Sequence, residues 1–297
     1  MRLARLETDD GVRLALGLAP DELVRIDAVV PDCPADPVEL LARPDREAVA
    51  ARVRAAVADA EVRRTLVAAG DLCGIEDAAA AGRLAAPVVA PSKVLCLALN
   101  YRAHAAEGGF VPPERPVVFL KGPNTLCGHG RDVVVPPVSR RIDHEGELAV
   151  VIGRQARHLS TADWRDAVAG YTIMNDLTAR DLQLDDIAHG HPWDLAKSFD
   201  GYGPAGPWLV SADEVADPQA LDLRVTVDGD VRQRSSTGRM IFGVAELLCT
   251  LSAVLTLEPG DVIATGTPDG IGPVGDGSVV EVAISGLGVL RNRVRFA

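Results

Sequence analysis

Short apolar segments separated by polar turns dominate the chain after about residue 90. Their length, roughly four to eight residues, is typical of buried strands. LRVTVDGDVRQ (223–233) alternates apolar and polar positions around Asp228-Gly229, which favours a two-residue type I′ turn and predicts a β-hairpin. Helical patterns are few and do not alternate regularly with strands, so we expect an α+β fold rather than a doubly wound parallel sheet. Further strands are predicted in KVLCLALN (93–100), PVVFLKG (116–122), RDVVVP (131–136), GELAVVIG (146–153), AGYTIMND (169–176), PWLV (207–210) and VVEVAISG (279–286).

The region before these strands has a different pattern and predicts a small N-terminal α+β domain. Short strands and turns are expected up to residue 42, followed by one long helix over residues 45–70. Apolar residues recur there at helical spacing and Gly70 is a stop signal. The proline-containing stretch AAPVVAPSK (85–93) is a candidate linker, so we place domains at 1–88 and 89–297. The apolar positions of the predicted helix are Val49, Val53, Val57, Val62 and Leu66.

Composition narrows the class of protein. The chain is 47% hydrophobic and 24% charged, which is ordinary for a globular protein with a sizeable core. A formal net charge of −12 would repel a phosphate backbone, so nucleic acid is not an expected partner. No stretch approaches the roughly 20 apolar residues of a membrane span, and no secretory leader is evident. The five cysteines have no metal-ligand spacing, so we expect reduced thiols and a cytoplasmic location.

Three carboxylates lie at the ends of predicted apolar strands. Glu145 and Glu147 are two residues apart, a spacing that directs both side chains to the same face of a strand. Asp176 ends another strand. Carboxylate oxygens are the ligands that Mg²⁺ and Mn²⁺ prefer, and a divalent cation would relieve the repulsion between them. The alternative is an exposed strand edge, with Asp176 serving as N-cap of the next helix.

Two further groups of polar residues could act on a substrate. Arg180 and Gln183 share a helix face shortly after Asp176, and Lys197 could balance the surplus negative charge of three acids around one divalent ion. The simpler interpretation of Arg180 is a surface ion pair with a nearby aspartate. Thr267 lies in a glycine-rich turn, GDVIATGTPDGIG (260–272), that could present N–H groups and hydroxyls to an anion.

His104 and Glu107 form the remaining candidate constellation. They are three residues apart, so on a short helix the carboxylate could orient the imidazole as a general base. Gly108 and Gly109 follow and would permit a mobile segment. A surface ion pair is the alternative. GYGPAG (201–206) lacks the preceding strand of a dinucleotide site, and no nucleophile-elbow or zincin motif is present.

Taken together, these segments resemble the fumarylacetoacetate hydrolase superfamily, in particular its short, acylpyruvase-like branch. The resemblance implies a β-rich roll of mixed sheets and a homodimer. It implies that Mg²⁺ or Mn²⁺ is bound by Glu145, Glu147 and Asp176, and that His104 and Glu107 are a mobile catalytic pair. It also implies substrate contacts from Lys197, Arg180, Gln183 and Thr267. The matching segments include LCLALNYRAHAAE (95–107), PVVFLKGP (116–123), DHEGELAVVIGR (143–154), GYTIMNDLTARDLQ (170–183), PWDLAKSFDGYGPAGPWLV (192–210) and GLGVLRNRV (286–294).

The family's substrates are small 2-oxo and 2,4-dioxo acids, which gives the expected activity. In the favoured hypothesis the enzyme hydrolyses the C–C bond of an acylpyruvate or a fumarylacetoacetate-like acid through an enolate held by the cation. The same core would serve an oxaloacetate-type decarboxylase or an isomerase or dehydratase of 2-oxo acids. A catalytically silent binding protein is a further alternative. The His–Glu pair favours hydrolysis, because decarboxylation needs no base to activate water.

Overall fold

A computed structural model describes residues 1–18 and 21–297 of the chain. Strands are the main elements of this part of the chain, as the apolar pattern predicts. Their bounds are Arg2–Thr8 (β1), Gly11–Leu18 (β2), Glu22–Arg25 (β3), Leu72–Gly74 (β4), Leu84–Ala85 (β5), Val94–Ala98 (β6), Val117–Lys121 (β7), Leu126–Cys127 (β8), Asp132–Val135 (β9), Ile142–His144 (β10), Gly146–Ile152 (β11), Val168–Asn175 (β12), Thr178–Ala179 (β13), Gly203–Ser211 (β14), Asp222–Val227 (β15), Asp230–Ser236 (β16), Val262–Ala264 (β17), Gly272–Val274 (β18), Val279–Ile284 (β19) and Gly288–Phe296 (β20).

The helices are short and connect or cover the sheets. Among the described residues, no helix combines the length and the apolar character needed to cross a membrane. The α-helices are Pro37–Ala42 (α1), Arg46–Ala58 (α2), Ala60–Ala69 (α3), Ile75–Ala80 (α4), Arg102–Glu107 (α5), Arg180–Ala188 (α6), Asp194–Lys197 (α7) and Val244–Val254 (α8). Single 3₁₀ turns span Pro123–Thr125, Trp164–Ala167, Ala212–Glu214 and Thr237–Arg239.

The strands form three sheets, so the predicted α+β fold with mixed sheets is confirmed. The largest sheet has twelve strands and follows the order β4-β3-β2-β1-β14-β12-β11-β17-β6-β7, with β5 and β8 pairing with β1 and β14. Most neighbours are antiparallel, but β17 and β6 are parallel. Smaller sheets have the orders β13-β10-β18 and β16-β15-β19-β20-β9. Because β1 pairs with β14, the N-terminal strands extend the sheet that carries β11 and β12. The boundary near residue 88 stays a prediction.

The prediction of one long helix over residues 45–70 is wrong. The helix is interrupted at Asp59, whose backbone is extended (φ −74°, ψ 122°) and whose side chain accepts hydrogen bonds from the backbone N–H groups of Glu61 and Val62. Asp59 is therefore the N-cap of α3, a role that competes with continuation of α2. Val62 is consequently exposed rather than buried. Gly70 ends α3 in the left-handed region, as its position predicts.

The hairpin prediction is confirmed. Strands β15 and β16 pair antiparallel, and both Asp228 (φ 52°) and Gly229 (φ 87°) have the positive φ of a type I′ turn. The sequence of residues 240–257 also has a helical apolar pattern, but within it only Val244–Val254 form an α-helix, α8. A 3₁₀ turn ends at Arg239, and Met240 to Gly243 form the connection.

Strand β11 lies at the centre of the large sheet and is buried along its whole length. Its side chains alternate between two apolar clusters, with Leu148 and Val150 in one and Ala149 and Val151 in the other. Burial of both faces explains why this segment has a continuous apolar run rather than an alternating one. Packing on both faces makes β11 a rigid support for the glutamates at its N-terminal end.

The chain bends from one sheet into another at Glu145 and Gly146, where β10 ends and β11 begins. Residues Ile142–His144 belong to the three-stranded sheet, whereas Gly146–Ile152 belong to the large sheet, so the prediction that the two glutamates lie in one continuous strand is wrong. Only a glycine fits at position 146, since a Cβ atom there would lie 2.4 Å from Cγ2 of Val225 and 2.9 Å from Cγ1 of Val282. The five-stranded sheet thus packs directly on the backbone between the two acids.

We expect Gly146→Ala to lower the free energy of unfolding by roughly 1–3 kcal/mol, the usual cost of overpacking a tight site. The added methyl group would also displace the backbone that positions Glu145 and Glu147. Urea denaturation followed by circular dichroism measures the change. Gly272→Ala is the control, because nothing lies within 4 Å of its added Cβ and its φ is not positive. Equal stability of both variants would contradict the packing assigned to Gly146.

Candidate metal centre

Pairing between β11 and β12 brings the three predicted acids together. Gly146 lies opposite Asn175 in this antiparallel pair, so Asp176, the next residue, reaches Glu145. The Asp176 backbone N–H donates to the Glu145 carbonyl at 2.8 Å. One carboxylate oxygen each of Glu145, Glu147 and Asp176 can be chosen so that all lie within 4.8 Å of one another. The predicted cluster of acids is therefore present.

Burial makes this cluster energetically costly without counter-charges. Glu145, Glu147 and Asp176 are 4%, 1% and 1% exposed. Burial, followed by the negative charges of Asp176 and Glu145, raises the pKa of Glu147 well above its ordinary range. Its carboxylate accepts one hydrogen bond from the described residues, donated to Oε2 by the Gly266 backbone N–H at 2.8 Å. Glu147 is thus the least compensated of the three acids.

Two lysines supply most of the positive charge that compensates these buried carboxylates. Lys197, at the end of α7, donates to Glu145 Oε2 at 2.8 Å and to Asp176 Oδ2 at 2.7 Å. Burial would lower the pKa of Lys197, but Asp176 and Glu145 outweigh burial and raise that pKa, so its ammonium stays charged. Lys121, at the end of β7, donates to Asp176 Oδ1 at 2.6 Å. Both oxygens of Asp176 are therefore held by ammonium groups.

Arg180 compensates Glu145 from the start of α6. Its guanidinium donates to Glu145 Oε1 and, through Nε, to Asp143 Oδ2 at 2.9 Å. Burial would raise the pKa of Glu145, but Lys197 and Arg180 outweigh it and hold that pKa below its ordinary range. The alternative of a surface pair for Arg180 is wrong, since Asp143 is fully buried. Asp176 is not a helix cap either, because α6 begins after Ala179 without a side-chain cap.

Lys121 is a residue of the site that sequence reasoning missed. The signal was its alternate position in β7, where Phe119 and Lys121 are buried and Val118 and Leu120 are exposed. A lysine on the buried face of a strand requires an acidic partner. That partner, Asp176, is far away in the chain, so local patterns could not identify it.

Gln233 is the second residue that was missed, and it fixes the bend at Gly146. Its side-chain oxygen accepts from the Gly146 backbone N–H at 3.0 Å, and its amide nitrogen donates to Thr267 Oγ1 at 2.8 Å. Thr267 in turn donates to the Gly146 carbonyl at 3.0 Å. Thr267, predicted as a substrate contact, therefore also supports the segment between the two glutamates. From the sequence, Gln233 was only the end of a predicted hairpin.

His104 and Glu107 line the same cavity as Glu145. His104 Nδ1 is 3.5 Å from Glu107 Oε2, and Glu107 Oε1 accepts from the Gly270 backbone N–H at 3.0 Å. The glycine-rich turn predicted to bind an anion thus binds two carboxylates of the protein, since Gly266 contacts Glu147. The cavity measures about 420 Å³, and the predicted residues in its lining are His104, Glu107, Glu145, Arg180, Gln183, Lys197 and Thr267.

The donor set fits a hard divalent cation. Oxygen ligands about 2.1 Å from Mg²⁺ are about 3 Å apart when adjacent and about 4 Å apart when opposite. Oxygens within 4.8 Å of one another need only small side-chain movements to satisfy that requirement. Carboxylates are also the ligand type that Mg²⁺ and Mn²⁺ share. Glu145, Glu147 and Asp176 are the residues that would hold the ion.

The cations around these acids are more numerous than the sequence suggested. Lys197 alone was expected to balance the surplus charge, but the structure places four cations beside the acids, and these cations pair with Asp143, Glu145 and Asp176 and not with Glu147. The acids are Asp143, Glu145, Glu147 and Asp176, and the cations are Lys121, Arg141, Arg180 and Lys197.

Comparison with known proteins establishes the family. Residues 93–295 match the family model described as fumarylacetoacetate (FAA) hydrolase C-terminal. The chain belongs to the fumarylacetoacetate hydrolase family, as the sequence motifs indicated.

Three solved structures of this kind are similar to the chain. Maleylpyruvate hydrolase from Sphingobium sp. SYK-6, in complex with manganese(II) and pyruvate, is 32% identical with a TM-score of 0.77, and the match covers 100% of both chains. Fumarylpyruvate hydrolase from Pseudomonas aeruginosa, in complex with Mn²⁺ and pyruvate, is 36% identical with a TM-score of 0.67 over 70% of this chain and 91% of that one. 5-Carboxymethyl-2-hydroxymuconate delta-isomerase from Mycobacterium smegmatis is 34% identical with a TM-score of 0.76 over 100% of both. The neighbours thus include hydrolases and an isomerase.

We expect Glu147→Gln to abolish stabilisation by Mn²⁺ while making the metal-free protein more stable. The wild type should gain about 2.7 kcal/mol at a Mn²⁺ concentration one hundred times Kd. An uncharged amide at this position cannot repel the acidic neighbours, so the metal-free variant should be more stable than the metal-free wild type. Denaturation with Mn²⁺ and with a chelator measures both effects.

The stability difference between Glu147→Gln and the wild type should increase as pH rises. A raised pKa of Glu147 in the folded state means that wild-type stability falls as pH rises above the ordinary value of 4.5. The difference between variant and wild type should therefore grow above that pH. Glu114→Gln is the control, because Glu114 is exposed and lies outside the cavity. It should change neither the stabilisation by Mn²⁺ nor the stability of the metal-free protein. A Glu147→Gln protein that Mn²⁺ still stabilises fully would show that Glu147 is not a ligand.

Proposed function

We propose that this protein is a Mg²⁺- or Mn²⁺-dependent hydrolase that cleaves a C–C bond in a 2,4-dioxo acid of the acylpyruvate type. The observation that carries the proposal is the position of His104 and Glu107, which line the same cavity as Glu145, Lys197 and Arg180. One cavity therefore combines a candidate water-activating base with a candidate cation site. The similar hydrolases with manganese and pyruvate support the same substrate class.

The charges of the site support a 2-oxo acid as substrate. When bound, the divalent cation would polarise the oxygens of the 2-oxo carboxylate as a Lewis acid. Lys197 remains protonated between Glu145 and Asp176, so it can stabilise negative charge that develops on the leaving pyruvate fragment. Arg180 and Gln183 line the cavity beside the acids, where the Gln183 amide can donate to a substrate carboxylate and the guanidinium, although paired with Asp143 and Glu145, adds positive charge close to it.

The hydrolytic step assigns separate tasks to His104 and Glu107. His104 accepts a proton from water, and the water oxygen bonds to the C4 carbonyl carbon of the substrate. The C3–C4 bond then breaks, and its electron pair remains with the pyruvate fragment. The proton held by His104 is returned to C3, so the products are pyruvate and a carboxylic acid. Glu107 orients the imidazole and is itself held by the Gly270 backbone N–H.

Isomerisation is a second candidate, favoured by similarity over the full chain to an isomerase from Mycobacterium smegmatis. In that reaction His104 would move a proton between substrate carbons without consuming water. Decarboxylation of an oxaloacetate-type acid would release CO₂ and needs no such base. A catalytically silent protein would bind the cation without any turnover. These reactions differ in their products, which separates them experimentally.

We expect acetylpyruvate to yield pyruvate and acetate in equal amounts with Mg²⁺ or Mn²⁺, and neither product in the presence of a chelator. Oxaloacetate should release little CO₂ under the same conditions. Product analysis by NMR follows both reactions. Conversion of a dioxo acid to an isomer of the same mass would instead support the isomerase, and CO₂ as the main product would support the decarboxylase.

We expect His104→Ala to lower kcat for acetylpyruvate by about 10²- to 10⁴-fold, the usual contribution of a general base. Mn²⁺ affinity should remain within about threefold, because His104 is not one of the three acids. Calorimetry measures the affinity and pyruvate release measures the rate. His189→Ala is the matched control, since that histidine is largely exposed and outside the cavity. Unchanged hydrolysis by His104→Ala would exclude it as the base.

A further inference from the structure

The cavity is polar at one end and apolar at the other, and α6 shows the change most clearly. Arg180 and Gln183, in its first turns, line the cavity beside the acids, whereas Leu184 and Ile187 line it further along the helix. A helix rises about 1.5 Å per residue, so Ile187 lies about 10 Å beyond Arg180 along the axis. One wall of the cavity therefore becomes apolar with distance from Glu145.

Strand β7 forms a second wall with the same change in character. Lys121 contacts Asp176, Phe119 lies next to Lys197 with its ring centroid 5.0 Å from Nζ, and Val117 lines the cavity further away. At about 3.3 Å per residue, Val117 lies about 13 Å from Lys121 along the strand. In both elements the side chains that line the cavity become apolar with distance from the acids, toward the C-terminal end of α6 and toward the N-terminal end of β7.

Three large apolar side chains of the lining are open to solvent. Leu184 is 50% exposed, Ile187 is 37% exposed and Phe110, which follows α5, is 45% exposed. All three line the cavity. Burial of apolar surface is favourable by roughly 25 cal/mol per Å², so a bound apolar group that covers these side chains would gain affinity. The far end is therefore suited to an apolar group.

A second carboxylate would find no free cation there. In the described part of the lining, the arginines and lysines are Arg141, Arg180 and Lys197. Arg141 is paired with Asp143 at 3.0 Å, and Arg180 and Lys197 are paired with the acids of the metal centre. A carboxylate placed among Leu184, Ile187 and Phe110 would lose part of its hydration without gaining a cationic partner, which is unfavourable.

From this geometry we infer that the acyl group of the substrate is uncharged and apolar, an aliphatic chain of roughly four to six carbons that lies against Leu184, Ile187 and Phe110. The inference rests on the proposed function, since it specifies the substrate of the same site. It distinguishes this chain from the similar maleylpyruvate and fumarylpyruvate hydrolases, whose named substrates carry a second carboxylate on the acyl part. A cavity of about 420 Å³ has room for such a chain beyond the three carbons of pyruvate.

Binding of two matched 2-oxo acids tests the inference without requiring turnover. Isothermal titration of the Mg²⁺-loaded protein compares 2-oxooctanoate with 2-oxooctanedioate, which have the same number of carbons and differ in a terminal carboxylate. We expect 2-oxooctanoate to bind at least tenfold more tightly. Equal affinity, or tighter binding of the diacid, would overturn the inference.

A variant with a positive charge at the apolar end tests where the acyl chain binds. Ile187→Lys places a cation at the apolar end, so it should weaken 2-oxooctanoate binding and strengthen 2-oxooctanedioate binding, which reverses or removes the tenfold preference. Val254→Lys is the matched control, because Val254 is an exposed apolar residue in the last turn of α8, outside the cavity. If Ile187→Lys leaves the preference unchanged, the acyl chain does not lie where we place it.

Product formation separates this inference from the proposed function. With hexanoylpyruvate and its analogue carrying a terminal carboxylate, kcat/KM should favour the uncharged substrate and rise about threefold or fourfold for each methylene added from acetylpyruvate. Cleavage with a preference for the charged analogue would overturn the inference and leave the hydrolase intact. No cleavage of any acylpyruvate, together with the tenfold binding preference, would overturn the hydrolase and leave the apolar end of the cavity established.

Discussion

Mutual repulsion among three buried carboxylates is the constraint on which the rest of the structure depends. Glu145, Glu147 and Asp176 are almost inaccessible to solvent, and no fold would tolerate them together without opposing charge. Two lysines and an arginine from three different elements provide part of it. Glu147 has the least compensating positive charge around it, and its pKa is raised as a result. A divalent cation supplies what the protein groups do not, so the structure is organised around a place for one.

The sheet provides the rigidity that this arrangement requires. Strand β11 is buried on both faces, and the bend at Gly146 is held by Val225 and Val282 on one side and by Gln233 on the other. The acids are thus fixed by packing in the core. By contrast, the residues proposed for proton transfer and acyl binding come from the short helices α5 and α6 at the cavity. Because the acids and the residues proposed to act on the substrate lie on different elements, the same acidic cluster can serve the several reactions found among the similar proteins.

Local patterns predicted much of this from the sequence. The turn at Asp228-Gly229, the helix stop at Gly70 and the three acids at strand ends follow from neighbouring residues, and the resemblance to the family strengthened the roles assigned to the other candidate residues. The break at Asp59 was missed because capping and helix continuation compete within an alanine-rich stretch that favours both. Lys121 and Gln233 were missed because their partners are distant in the chain, and the apolar end of the cavity depends on how separate elements assemble.

The most direct test of the central claim is anomalous diffraction from crystals grown with Mn²⁺. Our account predicts one strong peak about 2.1–2.2 Å from an oxygen of each of Glu145, Glu147 and Asp176, the distance expected for this type of cation. Lys197 should remain within hydrogen-bond distance of Glu145 or Asp176. A map without a peak among the three carboxylates at saturating Mn²⁺, with the lysine ammonium groups alone between them, would contradict it.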